Sequence, residues 1–122
     1  MQVVIVEPKK KPTVQNIDDG LEAMQKIVGG TIQAIYPFDE PIALICNDEG
    51  KFLNLPLNRA LRDNAGCVYA IVAGTFFLCA APTAKDNFAS LTEEQVQTCL
   101  KRFAIPEQFI QVGDAVFVLP AP

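Results

Sequence analysis

Histidine and tryptophan are both missing from this chain of 122 residues. Without histidine no Ser-His-Asp or Cys-His relay can be assembled within it. Four cysteines are present, Cys46, Cys67, Cys79 and Cys99, but no two stand as a C-x-x-C pair. With no histidine beside them, a zinc site has poor support. They read as small buried hydrophobes in a reducing cytoplasm. No apolar run is long enough to span a bilayer: the richest stretch, 67–82, is broken by Gly74 and Thr75. The N-terminus lacks the basic region and cleavage pattern of a signal peptide, so a soluble, cytoplasmic protein without a membrane partner is expected. No phosphate-binding loop is present either, because Gly29-Gly30 closes a predicted helix instead of opening one.

What remains is a globular composition: 50% of the residues are hydrophobic and 20% charged. One domain over 1–122 is expected, with roughly two-thirds of the unfolded chain's surface buried on folding. Ten basic and fourteen acidic residues leave a net charge of −4, which disfavours dedicated nucleic-acid binding.

The pattern along the chain predicts an opening hairpin from Val3–Val6 and Thr13–Ile17, separated by a proline-flanked turn. Leu21, Met24, Ile27 and Val28 recur at helical spacing, with Asp19 and Glu22 as a capping pair and Gly29-Gly30 as the stop. A strand follows over 31–36. Ile42–Cys46 and Lys51–Leu55 flank Asn47-Asp48-Glu49-Gly50, a hairpin signal with Gly50 at a left-handed position. Leu57–Arg62 reads as one helical turn capped by Asn58. Strands follow over 68–72 and 75–80, with Gly74 between them marking a bulge or a close approach. A polar loop spans 82–88. Thr92 and Gln95 form a capping box before Val96, Cys99, Leu100 and Phe103, with Lys101 and Arg102 in the last turn. A last strand is read within 112–119. This order predicts an α+β fold, an antiparallel or mixed β-sheet built from hairpins with two main helices packed on one face.

The carboxylate pairs Asp18-Asp19, Asp39-Glu40 and Asp48-Glu49 all fall at caps or turns, where acidic residues have ordinary structural roles. No catalytic residue and no cofactor is assigned. The most concentrated polar chemistry is Asn58, Arg59 and Arg62. Arginine pairs bidentately with phosphate, and asparagine both donates and accepts toward a base or sugar. The structural alternative is that Arg59 pairs with a carboxylate and Arg62 is solvated. Tyr36 and Phe38 offer aromatic faces for a base, or pack at the core rim. Thr75 adds a hydroxyl beside Gly74. Lys9, Lys10 and Lys11 form a basic turn, either solvated or attractive to a polyanion.

Val6-Glu7-Pro8, Leu21–Gly30, Asn47–Lys51, Leu55–Leu61, Ile71–Phe77 and Ser90–Gln95, in this order and spacing, resemble a family of small uncharacterised proteins. It is carried by bacteriophages, plasmids and mobile elements of gut Firmicutes and is catalogued as a domain of unknown function. The resemblance covers residues 1–103, leaving 104–122 as a C-terminal extension with a final strand. It implies no activity. It implies the context of an accessory gene, in which small proteins antagonise host defence. With that context, the expected function is non-enzymatic sequestration of a phosphorylated nucleotide immune signal by a homo-oligomer. The ligand is a cyclic nucleotide or a cyclic ADP-ribose species, held by Asn58, Arg59, Arg62, Tyr36, Phe38 and Thr75. The alternative expectation is a protein-interaction module that inhibits a host defence or restriction protein by surface binding.

Overall fold

The computed structural model describes residues 1–83 and 87–121. Nine strands and two helices follow one another in the described chain: β1 (Gln2–Val6), β2 (Thr13–Asn16), α1 (Leu21–Val28), β3 (Ile32–Ile35), β4 (Ile42–Asn47), β5 (Leu57–Arg62), β6 (Val68–Ala73), β7 (Phe76–Ala80), α2 (Glu93–Arg102), β8 (Glu107–Val112) and β9 (Ala115–Pro120). Every pairing is antiparallel. A five-stranded sheet runs β2-β1-β7-β4-β3, and β5-β6 and β8-β9 form separate hairpins. The α+β class read from the sequence is the class found.

The sheet is buried on both faces, which is why β1, β4 and β7 are apolar without alternation. Side chains of one parity, Val3, Ile5, Ala43, Ile45, Phe77 and Cys79, meet Met24 and Val28 of α1. Those of the other parity, Val4, Val6, Ile42, Leu44, Phe76 and Leu78, meet Val96, Cys99 and Phe103 of α2 and Leu61 and Val72 of the β5-β6 hairpin. The two helices therefore lie on opposite faces and not together on one. Each strand presents two apolar faces, and each needs its own cover.

Three local readings between β4 and β6 are corrected. Lys51–Leu55 is not a strand paired with β4. It turns helically, with Leu53 N donating to Glu49 O and Leu55 N to Gly50 O, because β4 already has β3 and β7 as neighbours. Gly50 is demanded by proximity and not by a left-handed backbone, since a Cβ there would lie 2.9 Å from Ala73 O. Leu57–Arg62 is a strand and not a helical turn. Its helix formers are overruled by the burial of Ala60 and Leu61 and by pairing with β6.

At α1 the N-cap is Gly20 with no side-chain cap bond, in place of Asp19. Gly29 does close that helix with φ 81°. The capping box of Thr92 and Gln95 is formed in full. The expected last strand is a complete hairpin, β8-β9, turning at Gly113 with φ 62°. Of the polar loop over 82–88, residues 84–86 lie outside the described residues.

Candidate functional site

Strand β5 crosses the sheet face beside the end of α2, and its irregular register determines what it presents. The pairing with β6 shifts between Leu57 and Arg59, so Asn58 is an extra, unpaired residue in a bulge. Its side chain turns inward and is fully buried. Asn58 Nδ2 donates to Val6 O and to Gly74 O, both at 2.9 Å. Its Oδ1 accepts from Arg59 Nη1 at 2.9 Å.

Arg59 is equally buried, at 1% exposure. Its Nη2 donates to Lys10 O at 2.6 Å and to Phe103 O at 3.2 Å. Its Nε–H has no acceptor among the described residues. Burial lowers the guanidinium's pKa from its ordinary value, and Glu107 opposes that shift. Asn58 and Arg59 thus join four segments: the end of β1, the loop after it, the turn before β7 and the end of α2. They are a structural clamp. Apart from Arg59 Nε, their side-chain polar groups are engaged with main-chain carbonyls and with each other, where the sequence reading assigned them to a ligand.

Arg62 lies three residues beyond Arg59 and is only half-buried. It pairs with Glu107 of β8, Nη2 to Oε2 at 2.8 Å, and Glu107 Oε1 accepts from Ala60 N at 2.9 Å. The structural alternative, Arg59 on a carboxylate and Arg62 solvated, is therefore corrected in both parts. Arg62 has the carboxylate partner, and Arg59 has carbonyls.

Around this pair the β5 surface, the last turn of α2 and the start of β8 enclose a cavity of about 260 Å³. Its wall carries Arg59, Arg62, Lys101 and Arg102 against the single carboxylate of Glu107. A local excess of positive charge has gathered in a protein whose net charge is −4. Arg62, Lys101 and Arg102 also line a broader depression of about 760 Å³, shared with Phe38, Asp39, Glu40 and Asp63. The two hollows adjoin at these three shared residues, as a cleft that is cationic in its smaller part and of mixed charge in its larger part. Arg102 lies over the ring of Phe103, 5.5 Å from its centroid, and Phe38 meets Phe103 edge to face at 6.2 Å. This packing fixes both the cation and the aromatic flank.

Of the residues singled out from the sequence, the structure brings Arg62 and Phe38 to one cleft. Asn58 lies behind its wall, and Arg59 reaches the wall of the smaller hollow with its guanidinium held on Asn58 and the carbonyls of Lys10 and Phe103. Tyr36 is exposed and lines neither part of it, and Thr75 sits half-buried in the β6-β7 turn away from it. Within the basic turn, Lys10 pairs with Glu7 at 3.3 Å and supplies its carbonyl to Arg59. Sequence reasoning assigned Lys101 and Arg102 only to the helix dipole and gave Glu107 no role. The adjacent cations ahead of Phe103 were the available signal.

The fold and the cleft define a small antiparallel α+β protein with a confined cationic recess. The family model described as Domain of unknown function (DUF3846) matches residues 1–104, and the chain belongs to that family. The β8-β9 hairpin falls beyond the matched region. No curated protein and no solved structure matches the chain. Among the described residues no helix is long and apolar enough to cross a membrane.

Proposed function

We propose that this protein is a non-enzymatic binding protein that captures a phosphorylated nucleotide. The cleft supports this reading: Arg62, Lys101 and Arg102 converge on one recess, with Phe38 at its rim. Arginine and lysine suit phosphoryl oxygens, and the aromatic flank suits a base. Phosphates enter toward Lys101 and Arg102, and the base lies outward toward Phe38. The counter-defence role expected of a phage or mobile-element accessory protein is part of the proposal, with cyclic nucleotides and cyclic ADP-ribose species as the immune signals sequestered.

A thermal-shift screen against cyclic di- and trinucleotides, cyclic ADP-ribose isomers, NAD and ADP-ribose tests it. A ligand at a hundred times its dissociation constant adds about 2.7 kcal/mol of stability. One nucleotide class should raise Tm by several degrees, be recovered intact, and lose its effect in a Lys101→Gln, Arg102→Gln double variant. A flat screen, or a shift unchanged in the double variant, contradicts the proposal.

A second reading, surface inhibition of a host defence protein, is favoured by a different observation. On β8-β9 the cross-strand pair Ile110 and Phe117 shares one face with Val112 and Leu119, and all four are exposed. A two-stranded ribbon carrying such a face is an interaction surface or a liability. The same face supports the expected homo-oligomer. Sedimentation separates the two: a concentration-dependent dimer lost on Ile110→Ser and Phe117→Ser favours self-association, and a monomer favours a foreign partner.

A further inference from the structure

We infer that Glu107 is a tethered competitor that sets which anions the cleft admits; the inference rests on reading the cleft as an anion site. Glu107 is the one carboxylate among the residues lining the smaller hollow, which also include Arg59, Arg62, Lys101 and Arg102. It holds Arg62 at 2.8 Å and at the same time accepts from the Ala60 N–H. Its side chain is 11% exposed, against 33% for that of Arg62. Glu107 starts β8, and six cross-strand pairs from Glu107↔Pro120 to Val112↔Ala115 fix that strand. The carboxylate is therefore present at the recess at the high effective concentration of a short tether.

A free monocarboxylate that replaced Glu107 on Arg62 would exchange like for like and forfeit the tether. A nucleotide with two or more phosphates differs in two respects. It brings about two negative charges and several acceptor oxygens, so it can engage Arg62 together with Lys101 or Arg102. Entry is therefore confined to ligands presenting at least two phosphate charges, as cyclic oligonucleotides and diphosphate-bridged nucleotides do, and monocarboxylates are turned away. Glu107 lies outside the residues 1–104 matched by the family model, so this selectivity belongs to the C-terminal hairpin of this chain.

Calorimetric titration of inorganic pyrophosphate and of acetate into the wild type and Glu107→Gln tests the inference. Glutamine keeps an oxygen for the Ala60 N–H and removes only the charge. The variant should bind pyrophosphate roughly tenfold more tightly, as expected for one released charge-assisted hydrogen bond, and acquire measurable acetate binding. Binding by the variant alone supports the inference in its strongest form. Equal or weaker pyrophosphate binding by Glu107→Gln overturns it and leaves the cleft reading standing. Binding by neither protein overturns the cleft reading and the inference with it. The wild type gives an independent readout that needs no substitution. Saturating pyrophosphate should move the Ala60 amide resonance as Glu107 lets go, and a bound state with Ala60 unmoved contradicts displacement.

Discussion

Asn58 Oδ1 accepts a hydrogen bond from Arg59 Nη1 at 2.9 Å, while Asn58 Nδ2 reaches both Val6 O and Gly74 O. One amide thereby positions a buried guanidinium and ties the β5 bulge to the central sheet. Truncation at either residue leaves buried groups without partners. Asn58→Ala is expected to destabilise the fold by about 2–4 kcal/mol. Arg59→Met is expected to cost about 3 kcal/mol, since the carbonyls of Lys10 and Phe103 lose their donor. Urea denaturation measures both. Values within 0.5 kcal/mol of wild type would return these residues to the surface chemistry the sequence suggested.

The β5 segment also shows where the sequence was legible and where it was not. Thr92, Gln95 and the apolar stripe of α2 state a helix with its cap in residues that touch one another locally, and that helix is found. The opening hairpin and the Gly29 stop are local in the same sense. Leu57–Arg62 has good helix formers, and only contacts across the fold make it a strand. One of them, Glu107 to Ala60, spans 47 positions. The cleft was half legible for the same reason: Arg62 and Phe38 stood out by type, but Lys101, Arg102 and Glu107 join them only through packing of α2 and β8 on β5. Asn58 and Arg59 carry the residue types of a ligand site, and no local pattern distinguishes that from an internal clamp.

Thr92 supplies a measurable test of local encoding. Thr92→Ala removes the acceptor for Gln95 N and frees the Gln95 side chain from Thr92 N. A loss of about 1 kcal/mol is expected by chemical denaturation, with the fold unchanged.

Gly74 and Gly113 both have positive φ, at 81° and 62°, but differ in their surroundings. A Cβ at Gly74 would lie 2.8 Å from Leu55 Cδ1, while one at Gly113 meets nothing within 4 Å. Gly113→Ala should cost about 1 kcal/mol from backbone strain alone, and Gly74→Ala more, because Leu55 must also shift. Equal losses in thermal denaturation would show that Leu55 yields freely.

The cysteines differ in access and in acidity. Cys67 is exposed, and Cys46, Cys79 and Cys99 are buried. Iodoacetamide at pH 8 should modify the native protein once, at Cys67, as read by mass spectrometry. Burial, aided by Cys99 for Cys79 and by Glu40 for Cys99, pushes these two thiols up to about 12 from an ordinary value of 9.0. The unfolded chain then releases protons that the folded chain retains, so stability is full below pH 9 and falls as pH rises toward 12. A Cys79→Ala, Cys99→Ala variant, less stable overall, should show a flatter decline above pH 9.

The central claim is that the recess between β5 and the end of α2 holds a phosphorylated nucleotide. Amide NMR titration of the wild type with ADP-ribose tests it most directly. The expected result is saturable shifts gathered on Phe38, Arg62, Lys101 and Arg102. No shift at millimolar ligand, or shifts gathered instead on the Ile110 to Leu119 hairpin, would contradict it.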